Sequence, residues 1–204
     1  MLLFCENFLA LQNKRSASKV AILILKRGEK MKGMDIHQQL VDLLTDGQAR
    51  FRVMEHEAVG KCEAVSEIRG TLLSQGAKAL VCKVKGNGIK QVVLAVLGAD
   101  LQADLALLAQ HLGGTKASLA SPAEVDTLTR CVFGAIPPFS FHPELKLVAD
   151  PLLFERHDEI AFNAGLLEKS IIMDTADYLR LAQPVLVAFH RTPSTSAAPD
   201  TAPQ

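Results

Sequence analysis

The chain has 204 residues, 49% of them hydrophobic, and its 22 basic and 22 acidic residues cancel. That length and apolar content suit one domain with a sizeable core, and zero net charge argues against wholesale electrostatic attachment to duplex DNA, so any recognition of an anion has to be local. Cys5, Cys62, Cys82 and Cys131 form no CxxC pair and no cluster with histidine, which speaks for reduced thiols in a cytoplasm rather than for a zinc site or a disulfide framework. No apolar run approaches the roughly 18 to 20 residues of a membrane span.

Residues 1–34 read as an appended, loosely ordered extension: a short apolar head, a polar stretch, an isolated Val20 to Leu25, then KRGEK before Met31 and Met34. From Asp35 the pattern is regular, with Ile36, Leu40, Leu43 and Leu44 predicting one helical face and Gly47 its end. Phe51 to Glu55 reads as a strand leading into His56-Glu57, and a second helix runs from about Glu63 to Ile68, closed by Gly70. Two apolar runs, Ala79 to Val84 and Val92 to Leu97, flank Lys85-Gly86-Asn87-Gly88, and Asn-Gly favours the positive φ of a tight hairpin. Lys78 stands one residue before the first run, so its amine emerges at the edge of the core. Between Glu67 and Asp100 there is no acidic residue, while Arg69, Lys78, Lys83, Lys85 and Lys90 fall inside, a local positive excess suited to a phosphate-bearing partner.

Asp104 is placed to cap a helix carrying Leu105, Leu108 and Leu112, stopped by Gly113-Gly114. Ser121-Pro122-Ala123-Glu124 spells a capping box with proline in the first turn. Val132 to Pro138 is an apolar loop whose paired prolines cannot join a central strand. Leu145 to Ala149, Glu159 to Asn163 and Ser170 to Met173 read as strands, and Thr175 as the cap of a last helix with Tyr178, Leu179 and Leu181, ended by Pro184. The tail, 191–204, is rich in Pro, Ser, Thr and Ala and reads as disordered, which leaves 35–190 as the domain. The interleaving predicts a mixed α/β fold: a curled, mostly antiparallel sheet or small barrel flanked by helices.

No P-loop, GxGxxG after a strand, HExxH or GxSxG is present, which removes the common nucleotide binders and hydrolases. His56 lies between Glu55 and Glu57, but neighbours on a strand point to opposite faces, so no metal is expected there. Lys78 is a candidate for chemistry, weighed against an ordinary strand-end lysine whose stem lies along apolar surface. The loop from Gly134 to Pro138 is weighed against an ordinary turn, and neither element decides alone.

Taken together, a helix, a strand ending in EHE, a helix, GAKALVCKV, a hairpin, FGAIPP and a late FNAG before a strand resemble the YbaK/EbsC family, free-standing relatives of the editing domain of bacterial prolyl-tRNA synthetase. The resemblance runs from Ile36 to Val187, and HEAVGKCEAVSEIRG and FGAIPPFSFHPELKLVADPLLFE place it near the YeaK branch. It implies a small mixed barrel with helices outside, and hydrolysis, without a cofactor, of the ester joining a wrong amino acid to tRNA. It puts the essential lysine on Lys78 and the GxxxP loop on Gly134 and Pro138. The Ser-Gly-Gly turn of the family appears as Asn163-Ala164-Gly165, an aspartate of some members aligns with Ser170, and Cys62 stands where relatives often carry threonine, with no nucleophilic role implied.

An aminoacyl ester is already activated, so the enzyme need only place a water and stabilise an oxyanion. On this reading Lys78 neutralises a phosphate or the growing charge, and backbone N–H groups from Gly134 through Ala135 to Ile136 face the carbonyl. The substrate pocket is expected to use His56, Ala135, Ile136, Pro138, Asn163 and Gly165, with Lys61, Arg69, Lys83 and Lys85 steering the acceptor stem. The expected partners are the tRNA acceptor end carrying the wrong amino acid and, second, a synthetase. Serine is the expected amino acid, with Asn163 and His56 meeting its hydroxyl, Ile136 and Phe133 closing the pocket, and Pro137-Pro138 holding a wall rigid enough to exclude threonine. A non-catalytic tRNA- or synthetase-binding module and a Schiff-base enzyme using Lys78 are the alternatives.

Overall fold

In the computed structural model the described residues are 32–191. The extension over 1–34 and the tail over 191–204 therefore lie outside the described residues except at their inner ends, and at the first of these the chain is already helical before Asp35. Helix α1 (32–46) buries Gly33, Ile36, His37, Leu40 and Leu44, a stripe at spacings of three and four. Leu43, expected on that face, lies beside the stripe and is 37% exposed, while the polar His37 takes a place in it.

The elements that follow are β1 (Phe51–Glu55), α2 (Cys62–Arg69), a single 3-10 turn at Leu73–Gln75, β2 (Ala77–Gly86), β3 (Ile89–Gly98), α3 (Leu105–His111), β4 (Lys116–Leu119) and α4 (Pro122–Thr129). After a long loop come β5 (Leu145–Ala149), α5 (Leu152–Glu155), β6 (Glu159–Asn163), β7 (Lys169–Asp174), α6 (Thr175–Ala182) and β8 (Val185–Leu186). The strands form a five-stranded sheet in the order β4-β2-β3-β5-β8 and a three-stranded sheet in the order β1-β7-β6. Pairing is antiparallel except at β3–β5 and β5–β8. Of the two expected forms, the mostly antiparallel sheet is found, divided in two; among the described residues it does not close into a barrel. The sheets touch through an isolated bridge between Gly76 and Ala161.

Local chemistry accounts for most boundaries. The hairpin joining β2 and β3 turns on Asn87 and Gly88, both at positive φ (52° and 76°), and the ladder runs unbroken from Gly86↔Ile89 to Ala77↔Gly98. Asp104 accepts the N–H groups of Ala106 and Leu107, and Ser121 and Glu124 close their capping box. Helix α6 is capped by Asp174, which accepts from the N–H of Asp177; Thr175, the expected cap, instead donates its hydroxyl to the His157 carbonyl at 2.8 Å. The two sheets enclose one apolar cluster that includes Ile36, Leu40, Val81, Leu94, Phe162, Ile171 and Tyr178. The opposite face of the larger sheet is covered by α3 and by Phe189, so both faces of β2 and β3 are buried over much of their length. Fully buried Asp150 ties down the chain after β8, accepting from the N–H groups of Phe189 and His190 and pairing with the His190 ring at 2.9 Å.

The stiff loop after α4 has its reason in α6. Buried Tyr178 donates its hydroxyl to the Pro138 carbonyl at 2.8 Å, meets Phe139 edge-on and stacks on Phe154. Pro137 and Pro138 thus carry the chain into the core on a fixed course, with no ladder bond to lose.

Candidate active site

Where the two sheets meet, a cavity of about 410 Å³ opens between β2, β6, α2 and the loop after α4. Ala79, Val81, Val125, Ile136 and Phe162 give it apolar walls, while Leu119 and Phe133, 58% and 60% exposed, stand at its edge. Helix α2 turns one face toward it: Cys62, Val65, Ser66 and Arg69, at i, i+3, i+4 and i+7, all line the cavity. Gly70, at φ 65°, ends that helix directly after Arg69.

Lys78 lies on this cavity, half-buried, at the start of β2 as the sequence placed it. Its amine donates to the Leu101 carbonyl at 2.6 Å and, at 3.5 Å, to that of Ala99. Among the described residues no carboxylate lies within ion-pair distance of it. An ammonium has three donors, so one remains for a ligand.

The inner end of the cavity is a polar network. Asn163 is 7% exposed and spends its whole amide inside the protein. Its Nδ2 donates to the Val59 carbonyl at 3.1 Å and the Gly134 carbonyl at 2.7 Å, and its Oδ1 accepts from Arg69 at 2.6 Å and from the Ser170 hydroxyl at 3.2 Å. Arg69 also donates from Nε to Ser170 at 2.8 Å, and burial lowers its pKa to about 10. His56 is set behind this layer: one ring nitrogen lies 2.6 Å from the Ser170 hydroxyl and the other 2.7 Å from the Glu57 carbonyl.

The two loops stitched by Asn163 meet at glycines. Gly134 has φ 83°, and a Cβ there would lie 3.1 Å from both Cα and O of Gly60. Only glycine meets both demands.

The structure therefore divides the expected pocket residues. Gly134, Ile136 and Asn163 line the cavity with Lys78. Ala135, Pro138, Gly165 and His56 do not, and support it from behind: the Ala135 carbonyl accepts the Gly165 N–H at 2.9 Å, and its own N–H is taken by Val132. Of the expected oxyanion donors, only the N–H groups of Gly134 and Ile136 make no hydrogen bond among the described residues. Phe133, expected to close the pocket, stands exposed at its edge.

The expected acceptor-stem contacts also part company. Arg69, 8% exposed, faces the cavity rather than the surface. Lys83 is held by both oxygens of Glu124 at 2.9 Å, and the Glu124 carboxyl, bonded to the Ser121 N–H and to Lys83, has its pKa lowered to about 2. Lys61 is exposed beside the mouth. Lys85 stands in register with Lys90 on one side and Lys116 on the other, so three exposed lysines share one face of the sheet with no carboxylate partner among the described residues. Lysines directly opposite one another repel. No cluster of three metal-binding side chains occurs among the described residues, and Glu55 is engaged by Lys169 at 2.6 Å. No helix of the described residues is long and apolar enough to cross a membrane.

Two solved structures share the fold: the hypothetical protein APE2540, with a TM-score of 0.66 and 18% identity over 74% of this chain and 99% of that one, and a candidate trans-editing enzyme for prolyl tRNA synthetase, with 0.64 and 19% over 76% and 97%. Two curated relatives, the Multifunctional Ser/Thr-tRNA deacylase ProXp-y of Escherichia coli K12 and of Escherichia coli O157:H7, are each 74% identical over 164 residues, 80% of this chain and 98% of theirs. With the profile of the aminoacyl-tRNA editing domain matching residues 56–181, more than half of its length, the chain belongs to the aminoacyl-tRNA editing domain family.

Proposed function

We infer that this chain is an aminoacyl-tRNA deacylase that hydrolyses, in trans, the ester of a mischarged tRNA, and that the cavity holding Lys78 and Gly134 is where it does so. The observation that carries the reading is that one pocket, in a chain 74% identical to curated deacylases over 164 residues, brings together an amine with a spare donor, a buried guanidinium, and Gly134 and Ile136, whose N–H groups make no hydrogen bond among the described residues.

In the reaction a water oxygen bonds to the ester carbonyl carbon, the carbonyl becomes an oxyanion, and its collapse expels the ribose oxygen, which takes up the proton lost by the water. The protein has no covalent bond to make. Lys78 is pinned by two carbonyls with its third N–H free, and serves as a fixed positive charge for the 3′-terminal phosphate or the oxyanion. The free N–H groups of Gly134 and Ile136 are the partners for the ester carbonyl. Exposed Phe133 and Leu119 offer a flat apolar edge for the terminal base, since stacking on an aromatic ring serves any base. Lys61, Lys85 and its register neighbours Lys90 and Lys116 meet the acceptor stem; Lys85 lies seven residues along β2 from Lys78, roughly 23 Å at strand spacing. A synthetase that charges the same tRNA is the second partner of this reading, and the cytoplasm its place.

The relatives' name joins serine with threonine, so the reading takes in acyl groups bearing a hydroxyl and does not retain the exclusion of threonine. The test is single-turnover deacylation of serylated tRNA by the unmutated protein and by Lys78→Ala. Loss of turnover with an unchanged fold is expected, and Lys78→Arg should not restore it, because a planar fork does not replace a compact ammonium between two carbonyls. Near-normal turnover in the alanine variant would move the site elsewhere.

A further inference from the structure

Resting on that reading, we propose that Arg69 and Ser66 of α2 form the polar end of the aminoacyl pocket and select acyl groups with a side-chain hydroxyl, Arg69 donating to that oxygen and Ser66 accepting its proton. Asn163 and His56, the residues the sequence suggests for this task, are spent: the Asn163 amide has four partners inside the protein, and His56 is screened by Ser170.

Arg69 is not spent. A guanidinium has five N–H donors; Nε is used on Ser170 and one hydrogen of Nη2 on Asn163, and among the described residues Nη1 makes no hydrogen bond. The side chain is 8% exposed and lines the cavity, so its remaining donors have only the cavity to serve. Among the described residues its two side-chain partners are neutral, and guanidinium donors left unpaired against an apolar pocket are costly until a ligand accepts them. Ser66, 5% exposed and also on the cavity, gives its own proton to the Cys62 carbonyl at 2.8 Å and keeps its acceptor lone pairs. The two residues are three apart on one helix face, which holds their Cβ atoms about 5–6 Å apart. Both side chains line the same cavity.

The same pair excludes what lacks the group. An alanyl or valyl ester would shut in the guanidinium donors unpaired, and sites built to bond a substrate hydroxyl reject the analogue without it by up to about 10⁴-fold or more. A basic side chain would meet a cation. The added methyl of threonine has the apolar wall of Val65 and Ile136 to lie against.

The test compares kcat/KM on seryl, threonyl and alanyl esters of one tRNA for the unmutated protein, Arg69→Met and Ser66→Ala. The seryl-to-alanyl ratio is expected to fall at least about tenfold in Arg69→Met, the scale of one hydrogen bond to a charged group, and about fivefold in Ser66→Ala, the scale of a neutral one. A structural role would slow both esters alike, so an unmoved ratio in a variant that folds by circular dichroism overturns the proposal. Arg69→Met also loses its bonds to Asn163 and Ser170; if it does not fold, Ser66→Ala, which leaves those bonds in place, decides alone. No hydrolysis of any ester by the unmutated protein would sink the deacylase reading itself, whereas hydrolysis with an unmoved ratio sinks only this inference.

Discussion

Asn163→Ala removes the one amide that holds the loop at Val59-Gly60, the loop at Gly134 and the Arg69 guanidinium in a single arrangement. The bonds removed are those to the Val59 carbonyl at 3.1 Å, the Gly134 carbonyl at 2.7 Å, the Ser170 hydroxyl at 3.2 Å and Arg69 at 2.6 Å, around a residue 7% exposed. Three neutral bonds at about 1 kcal/mol each and one to a charged group at about 1.5–3 kcal/mol set the scale. Water from the adjoining cavity reaches part of what is freed, which brings the expected loss of stability to about 2–4 kcal/mol, or roughly 5–15 °C in Tm for a chain of this size. Activity should fall further than stability. Gly134 and Ile136 lose their tether to β6, and a misplacement of about 1 Å is enough to cost about 100-fold. Urea unfolding gives the first quantity, and single-turnover deacylation at a temperature where the variant is fully folded gives the second. A stability loss below about 1 kcal/mol together with an unchanged rate would refute the idea that this amide organises the site.

Replacing Lys85, Lys90 and Lys116 by glutamine should raise KM, spare kcat and reduce the dependence of log affinity on log salt by about 0.7–0.9 for each phosphate that the variant no longer neutralises; an unaltered slope would put the acceptor stem on another surface. Among Cys62, Cys82 and Cys131, N-ethylmaleimide should label the half-buried Cys62 and spare the other two, whose thiols burial pushes up to about 12, and deacylation should be lost in step with that labelling as followed by mass spectrometry. Turnover surviving full modification of Cys62 would mean that its sulfur does not face the substrate. Asp177 has its pKa lowered to about 2 by the Arg180 guanidinium and the Arg50 N–H. An unfolded aspartate titrates near about 3.9, so the stabilisation is present in full above that value and is lost as pH falls through the folded pKa. Asp177→Asn should flatten the acid limb of stability between about pH 4 and pH 2; urea midpoints that still fall as steeply across that window would contradict the assignment.

How far the fold can be read in the chain depends on whether local chemistry or a neighbour decides each element. The hairpin, the boundaries of β1, β5 and β6 and the ends of α2, α3 and α4 follow from Asn-Gly, glycine stops, caps and apolar runs, all short-range devices. β4 and β8 carry no such signal. Lys116–Leu119 has alanine and serine where a strand would show branched or aromatic residues, and it is extended because the edge of β2 offers a four-residue ladder. Val185–Leu186 is a strand only because β5 has a free edge beside it. At α6 both Asp174 and Thr175 are capping residues. The sequence cannot rank them; in the structure the His157 carbonyl takes the threonine hydroxyl and leaves the aspartate to cap.

The site is legible to the extent that it lies on backbone the sequence predicts. Lys78 stands out because it precedes a buried strand and Gly134 because it lies in a stiff apolar loop, but each alone reads equally as an ordinary lysine or turn, and only the family resemblance singles them out. Arg69 reads as outward-facing because it opens a stretch with no acidic residue, where a cation is most simply a surface charge. Yet Val65 and Arg69 are four apart and Gly70 stops the helix immediately after, so a helix whose apolar face is buried carries the arginine inward with it. A helix of eight residues does not bury a guanidinium beside neutral side-chain partners for the sake of packing; leucine at that position would serve the core better. Departures of this kind from local rules concentrate where a protein does its chemistry. The polar pair on α2, and the asparagine and serine that hold the arginine in place, are therefore better explained as fitted to an oxygen that arrives with the substrate than as part of the scaffold.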